Sequence, residues 1–369
     1  MPGSDDCSSR SQDSFNHPSA PLSTGRLPRN NTLHAQEATG WKYGAPHPFR
    51  VPTCSTCPNT PGQPNVYSFF ESATSTWQYI VTDPTTKKAV IVDPVLDFNA
   101  ASGAITTKTA DGLLGFVKEN GFEVIMLLET HAHADHITAA QYLKQKLGGV
   151  PVGIGKRITG VQERFGKIYE VPKTWWDGAF DKYFEDDERF MIGDLECQVM
   201  HLPGTHPGPR WIYVRRWTLR RRHALLPRAD FPGGSPMDLY NSIQRVLAMS
   251  PNTRIYAGHD YPPEGSKQVG ERCWSLVSEQ RLKNVHLKAR LDEIAASSSP
   301  ASQTDGSEGL AERLMNAFIE WRAKRDSGLG APRLIHPSLQ VNICAGKLPK
   351  PDAQGMRMLK IPLQIPEGL

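Results

Sequence analysis

The sequence lacks long apolar runs and any opening segment typical of secretion. No stretch approaches the roughly 20 consecutive apolar residues that a membrane-spanning helix requires, and no basic segment followed by an apolar one opens the chain. We therefore expect no membrane partner and predict a cytoplasmic protein. A mitochondrial destination is the alternative, although the early acidic residues Asp5, Asp6 and Asp13 are atypical of import leaders, which are poor in acids.

Cysteine is also scarce, which excludes a disulfide-based fold. The 6 cysteines are scattered through 369 residues, a usage typical of a reducing compartment. Only Cys54 and Cys57 have the CxxC spacing of metal ligands, and no second pair completes a tetrahedral site. We interpret them as two loop thiols.

The chain has no strong excess of charge of one sign. Its 42 lysines and arginines nearly balance 38 acidic residues, for a net charge of +4. This balance argues against nucleic acid as a partner. With 38% hydrophobic residues, the chain is long enough to bury a sizeable core.

Composition divides the chain into four parts. Residues 1–60 are rich in Ser, Pro, Asn and Gly and poor in aliphatic residues, so we predict a disordered tail. Residues 61–294 carry the helix and strand patterns of one folded domain. Residues 295–309 are a Ser-rich linker, and residues 310–369 are predicted to form a C-terminal helix and an extended tail packed on the domain.

Apolar periodicity predicts strands where residues alternate or form short runs, and helices where they recur every three or four positions. The predicted strands are 76–81, 89–94, 124–128, 150–154, a hairpin over 184–200 and 253–261, and the predicted helices are 109–120, 137–147, 239–249, 276–294 and 310–325. We predict a loop over 161–181 and an extended segment from Pro332.

One predicted strand, 124–128, runs directly into Glu129-Thr130-His131-Ala132-His133-Ala134-Asp135-His136. Imidazoles and carboxylates are metal-ligand groups, and at the end of a buried strand they would otherwise lack partners. The strand 253–261 carries a further histidine, His259, near its end. Sites in α/β sheets usually form at the carboxyl ends of strands, although a histidine in this position, considered without a known fold, is more often a surface or capped residue.

This constellation resembles the metallo-β-lactamase superfamily. The resemblance implies an α+β fold, an αββα sandwich in which two mixed sheets are packed between helices and metals lie at one sheet edge. It also implies that His131 and His133 serve one metal position, whereas Asp135, His136 and His259 serve a second.

Further motifs between residues 75 and 365 resemble the persulfide dioxygenases, which are related to the glyoxalase II hydrolases. The resemblance assigns His131 to catalysis as an iron ligand, and Arg228, Asp230 and Tyr261 to substrate binding. The motifs are Thr76-Trp77-Gln78-Tyr79, Val92-Asp93-Pro94-Val95-Leu96-Asp97, the histidine run, Arg228-Ala229-Asp230-Phe231-Pro232-Gly233-Gly234, Gly258-His259-Asp260-Tyr261, Pro337-Ser338-Leu339-Gln340-Val341-Asn342-Ile343 and Leu359-Lys360-Ile361-Pro362-Leu363.

That family implies one iron(II) on two histidines and an aspartate, with a face open to dioxygen and to the substrate sulfur. The expected reaction oxidises glutathione persulfide to sulfite and glutathione, as in sulfide detoxification. The alternative is a hydroxyacylglutathione thioester hydrolase, in which two metals, zinc in this case, generate hydroxide. A homodimer is compatible with either activity.

The segment after Gly204 departs from the family pattern. The resemblance predicts H-T-P-G-H followed later by V-G-D-T-L-F, which would supply the second iron histidine and the aspartate. The chain instead reads Thr205-His206-Pro207-Gly208-Pro209 and later Arg220-Arg221-Arg222-His223-Ala224-Leu225, so His206 is displaced by one position and the aspartate is absent.

The genetic code allows both segments to be encoded by codons that give the family motifs when the reading frame is shifted by one nucleotide. The first segment then reads H-T-P-G-H-V-G-Y, and the second reads V-G-D-T-L. We therefore hypothesise that residues 205–226 are translated out of frame, which would make this chain an inactive pseudoenzyme. Sequencing the transcript across codons 200 to 230 tests this, and an in-frame transcript would contradict it.

Overall fold

The computed structural model describes residues 53–54, 62–202, 210–215, 223–226, 235–259, 273–284, 292, 307–327 and 330–366. The predicted disordered tail lies outside these residues except for Thr53–Cys54, which form a strand. The predicted linker also lies largely outside them, since description resumes at residue 307.

The described residues form three sheets. A seven-stranded sheet has the order β1-β2-β3-β4-β7-β9-β10, a six-stranded sheet runs from β11 to β16 in sequence order, and a small sheet has the order β6-β5-β8. The strands are β1 (Thr53–Cys54), β2 (Asn65–Glu71), β3 (Thr76–Thr82), β4 (Lys88–Val92), β5 (Val95–Phe98), β6 (Ile105–Thr106), β7 (Glu123–Leu128), β8 (Ile137–Thr138), β9 (Val152–Gly155), β10 (Lys182–Phe184), β11 (Arg189–Ile192), β12 (Leu195–His201), β13 (Arg210–Arg215), β14 (His223–Leu226), β15 (Arg254–Ala257) and β16 (Trp274–Leu276).

Helices cover the outer faces of the two large sheets. They are α1 (Lys108–Asn120), α2 (Ala140–Lys146), α3 (Ile158–Ile168), α4 (Lys173–Trp176), α5 (Pro236–Leu247), α6 (Val277–Lys283), α7 (Ser307–Asp326) and α8 (Ile335–Asn342). Both sheets are mixed, because β4, β7, β9 and β10 pair in parallel while β14 and β15 form the parallel pair of the second sheet.

Strand β3 shows how the layers arise. Successive side chains of a strand point to opposite faces. Tyr79 and Val81 therefore lie in the core between the two sheets, with Ile192 and Tyr256 of the second sheet. Ile80 points the other way, into a core that the first sheet shares with helices.

The outer cores complete the sandwich. Leu113 of α1, Leu143 of α2 and Phe165 of α3 pack in the core of the first sheet. On the second sheet, Val246 of α5 and Val277 of α6 pack in a separate cluster with residues of β12 and β15. The predicted αββα sandwich is confirmed.

The prediction of a loop over 161–181 was wrong. Helix α3 covers Ile158–Ile168 and α4 covers Lys173–Trp176. Ile158, Val161 and Phe165 are buried at helical spacing, but Gly160 and Gly166 within the helix lower its propensity and masked the pattern.

The prediction of a wholly extended segment from Pro332 was also wrong. Residues Ile335–Asn342 form α8, and only the chain after it is extended. Ser338 through Asn342 are all buried, so this part of the helix has no exposed face and the sequence shows no helical periodicity. The helix predicted over 137–147 likewise begins later, at Ala140, because Ile137 and Thr138 pair with β5.

Within the described ranges, none of the helices combines the length and the apolar character needed to cross a membrane.

Candidate metal centre

The histidine run occupies the loop between β7 and β8, at the edge where the two large sheets meet. Strand β7 pairs in parallel with β4, so Asp93, which follows β4, lies beside the start of this loop. The second sheet contributes His259, which forms a bridge with Thr76 at the start of β3. Trp77 N also donates to Gly258 O at 2.8 Å. Residues that are far apart in sequence are thereby brought to one sheet edge.

The imidazoles form a buried cluster. The ring centroids of His131 and His133 are 3.9 Å apart, and those of His133 and His136 are 4.1 Å apart. Ligand atoms of His131, His133 and His259 lie within 4.8 Å of one another, as do those of His133, Asp135 and His136. A third such group of buried side chains consists of Asp93, Glu129 and His133.

Asp93 and Thr130 orient His131. Asp93 accepts hydrogen bonds from Thr130 N and Thr130 Oγ1, both at 2.7 Å. The Thr130 hydroxyl, having given its proton to Asp93, can only accept from His131 Nδ1, which lies 2.9 Å away. His131 therefore carries its proton on Nδ1, and its Nε2 lone pair is available to a metal.

Asp135 orients two other histidines of the cluster, His136 and His259. Its Oδ2 lies 3.1 Å from His136 Nδ1 and 3.4 Å from His259 Nδ1. The Thr76 hydroxyl donates to the same oxygen at 3.3 Å. Because His136 Nδ1 faces a carboxylate, its Nε2 is the nitrogen left for a metal.

The electrostatics of the cluster favour a cation near His133. Burial lowers the pKa of His133, but the carboxylates of Asp93 and Asp135 outweigh it and raise that pKa to about 10. Burial, followed by the charge of Asp93, raises the pKa of Glu129 to about 8. The carboxylates that stabilise a proton on His133 would stabilise a metal ion in its place.

At His136 and His259 burial outweighs the neighbouring carboxylates and lowers the pKa. It lowers the pKa of His136, with a further contribution from the charge of His133. It lowers the pKa of His259 to about 4, despite the opposing charge of Asp135. Both imidazoles are therefore neutral near pH 7, which is the form that binds metals.

The residues present fit a metal ion. Both ring nitrogens of His133 and the Nε2 of His136 are buried without a hydrogen-bond partner among the described residues. His133 Nε2 lies 3.0 Å from Asp93 Oδ1, but the geometry falls short of a hydrogen bond. A buried polar atom without a partner costs about 1–3 kcal/mol, and coordination would remove that cost.

The structure brings together five of the predicted site residues, which are His131, His133, Asp135, His136 and His259. The other predicted site residues, His206, Arg228, Asp230 and Tyr261, lie outside the described residues, as does Cys57 of the CxxC pair. Two strands from the segment that departs from the family pattern, β13 and β14, lie in the middle of the six-stranded sheet.

A cleft of about 690 Å³ opens beside the cluster. Its lining includes His136, Glu71, the residues that follow β5, and Arg333 from the segment before α8. Arg333 is exposed and makes no hydrogen bond or ion pair with any described residue. Sequence reasoning missed Arg333, because nothing in its local pattern distinguishes it from other surface arginines.

Comparisons with known proteins agree with this geometry. The model of the metallo-beta-lactamase superfamily matches residues 73–216. A beta-lactamase hydrolase-like protein of Xylella fastidiosa is 40% identical over 312 residues, which are 83% of this chain and 66% of that protein. The match thus spans slightly less than two thirds of that relative's length. Glyoxylase B2 of Dictyostelium discoideum is 37% identical over 306 residues, covering 81% of this chain and 96% of that protein.

The persulfide dioxygenases are more distant relatives. Persulfide dioxygenase ETHE1 of Bos taurus is 28% identical over 231 residues, which are 61% of this chain and 76% of that protein. The crystal structure of ETHE1 from Myxococcus xanthus is similar with a TM-score of 0.52 and 22% identity, covering 76% of this chain and 99% of that chain. At this identity the structural likeness shows a shared fold alone.

Proposed function

We propose, from the premise that this chain belongs to the metallo-beta-lactamase superfamily, that it is an iron(II)-dependent persulfide dioxygenase. The proposed reaction is GSSH + O₂ + H₂O → GSH + SO₃²⁻ + 2H⁺, where G is the glutathionyl group. The outer sulfur of the persulfide is oxidised to sulfite, and its four electrons reduce dioxygen.

The observation that carries this proposal is the convergence of five ligand-type side chains in a buried cluster that borders a cleft through His136. Ligand pockets of proteins typically measure roughly 300–1,000 Å³, so the cleft has room for a tripeptide thiol. The motifs that resemble those of persulfide dioxygenases, including the C-terminal segment, favour the oxygenase over the hydrolase.

The chain's own residues would orient the metal and the substrate. His131 presents Nε2 because Thr130 accepts from its Nδ1, and iron(II), when bound, supplies the redox chemistry between dioxygen and sulfur. Arg333, which has no hydrogen bond or ion pair with a described residue, would bind a glutathione carboxylate in the cleft. Arg228, Asp230 and Tyr261 remain proposed substrate-binding residues on the resemblance alone.

A glutathione thioester hydrolase is the second candidate. Asp135, His136 and His259 offer ligands for a second metal position, and two zinc ions could generate the attacking hydroxide. The 37% identity to a protein named Glyoxylase B2 favours this candidate.

An inactive chain is the third candidate. Residues 205–226 depart from the family pattern, which suitable codons would restore in a shifted frame, and the match to the superfamily model ends at residue 216, inside this segment. Loss of the aspartate ligand would weaken iron binding, because changes even to the supporting shell of a metal cost about 10- to 100-fold in affinity or activity.

One experiment separates the three candidates. Two full-length proteins are prepared, one with this sequence and one from a verified transcript, and each is assayed for bound metal, for oxygen uptake with glutathione persulfide and for thioester hydrolysis. Iron with oxygen uptake supports the dioxygenase, whereas zinc with thioester hydrolysis and no oxygen uptake overturns it. Activity in the verified protein alone identifies residues 205–226 as the lesion.

We also propose that the protein is cytoplasmic. Cys197, Cys273 and Cys344 are buried free thiols, which is typical of a reducing compartment.

A homodimer is a further proposal, and light scattering on the purified protein tests it.

A further inference from the structure

The C-terminal helix α8 contacts the metal-binding loop through one buried side chain, Asn342. Its amide nitrogen donates to His133 O and to His136 O, both at 2.8 Å. Its amide oxygen accepts from Thr138 N at 2.9 Å. These three hydrogen bonds use both N–H groups and the carbonyl oxygen of the amide. Their partners lie between residues 133 and 138.

The bonded carbonyls belong to the residues whose rings form the cluster. The backbone at His133 and His136 sets the position of each ring, since a side chain can rotate only about its own bonds. Asn342 is 3% exposed, so water does not compete for these hydrogen bonds and they restrict the loop strongly.

Helix α8 is itself fixed in place. Gln162 Nε2 donates to Ile343 O at 2.8 Å. The Gln340 amide exchanges two hydrogen bonds, both at 2.8 Å, with the backbone of Lys360 in the extended tail. At Gly346 an added Cβ would lie 3.1 Å from Thr138 Cγ2. The chain after α8 therefore also packs closely on strand β8, which contains Thr138.

We propose that Asn342 is a positioning residue of the metal centre: it fixes the backbone between His133 and Thr138 so that the imidazoles of His133 and His136 are held in the metal-binding cluster. This role rests on metal binding by the cluster and not on which reaction follows.

The test compares two matched full-length variants. Asn342→Asp replaces the donating amide by a carboxylate and removes both donations to the loop. Gln340→Glu makes the same change on the same buried helix and removes donations to His336 O and Lys360 O, which are not in the loop. Cobalt(II) is titrated into each metal-free protein, and the affinity and the visible absorption spectrum are recorded.

We expect Asn342→Asp to weaken cobalt binding by about 10-fold or more and to change the visible spectrum, because the ligands no longer meet at one point. Gln340→Glu should bind cobalt as the unaltered protein does. Equal affinities and spectra in the two variants, whether both are normal or both are weakened, would overturn the proposal.

Circular dichroism establishes that each variant is folded. If Asn342→Asp does not fold, Asn342→Ser, which removes the amide without adding charge, takes its place against the same control. Because the readout is cobalt binding, a protein that fails to oxidise persulfide but shows this pattern refutes the proposed function and leaves the role of Asn342 intact.

Discussion

Threonine hydroxyls orient three of the histidines at the metal centre. Thr130 lies between Asp93 and His131. Thr76 Oγ1 lies 3.4 Å from both His136 Nδ1 and His259 Nδ1. A hydroxyl both donates and accepts, so it can connect a carboxylate to an imidazole and determine which ring nitrogen is left for a metal.

Thr76 allows a sharp test of this role. Thr76→Val keeps the shape of the side chain but removes the hydroxyl that contacts Asp135 and Thr74. We expect a loss of about 1 kcal/mol in the free energy of unfolding, measured by urea denaturation, because a buried carboxylate loses a donor.

Thr82→Val is the matched control on the same strand. Thr82 is equally buried, but its hydroxyl has no hydrogen-bond partner among the described residues. This substitution should leave stability unchanged or raise it. An equal loss of unfolding free energy in Thr76→Val and Thr82→Val would mean that the hydrogen bonds of Thr76 do not contribute to stability.

Arg333 provides a test of the cleft. Arg333→Gln should raise the KM for glutathione persulfide about 10-fold with little change in kcat, because a lost charge-assisted hydrogen bond costs about 1.5–3 kcal/mol in ground and transition states alike. Arg157→Gln serves as the control, since Arg157 is exposed and pairs with Asp186 away from the cleft. An unchanged KM in Arg333→Gln would exclude this arginine from substrate binding.

At the scale of elements, one carboxylate joins the turns of two hairpins. Asp83 follows β3 and accepts from Thr85 N at 3.0 Å and Thr86 Oγ1 at 2.7 Å in its own turn. It also accepts from Asp194 N at 2.9 Å in the turn between β11 and β12. The two large sheets are thereby connected at this end of the sandwich.

Gly193 is required at this junction. Its φ is +58°, and an added Cβ would lie 2.4 Å from Asp83 Oδ2 and closer still to Thr86 Oγ1. Gly193→Ala should therefore lower the free energy of unfolding by more than the roughly 1–2 kcal/mol that a left-handed backbone alone costs a residue with a Cβ.

Gly178→Ala is the matched control for this prediction. Gly178 has a φ of +64°, and nothing lies within 4 Å of an added Cβ, so only the backbone cost applies. Urea denaturation of both variants checks the difference. If Gly178→Ala is destabilised as much as Gly193→Ala, the contact between the two turns is not the cause.

At the scale of the whole molecule, the metal centre joins the two large sheets, because its loop follows β7 and His259 follows β15. A bound metal should therefore stabilise the whole folded domain. Free metal at 100 times its Kd adds about 2.7 kcal/mol to the free energy of unfolding. We expect chelation to lower the midpoint of thermal unfolding and added metal to restore it.

Two histidine variants test whether this effect arises at the cluster. His131→Ala should abolish the response to metal. His336→Ala should retain it, since His336 lies near Tyr169 and is not part of the cluster. A response that survives in His131→Ala would place the stabilising metal elsewhere.

Much of the fold and part of the site could be predicted from local sequence. The strand 124–128 and the ligands that follow it are neighbours along the chain, so the pattern of residues and their chemistry appear together. The hairpin around Gly193 was predicted for the same reason, because its strands and its turn are adjacent in sequence.

Contacts between distant segments were decided only by the tertiary structure. Asn342 lies more than 200 residues from the loop it contacts, and Thr76 lies 183 residues from His259. Five consecutive residues of helix α8, Ser338 to Asn342, are buried, so its sequence carries no helical stripe. The local order of residues determines which groups can bind a metal, whereas the order of strands in the sheets determines which groups meet.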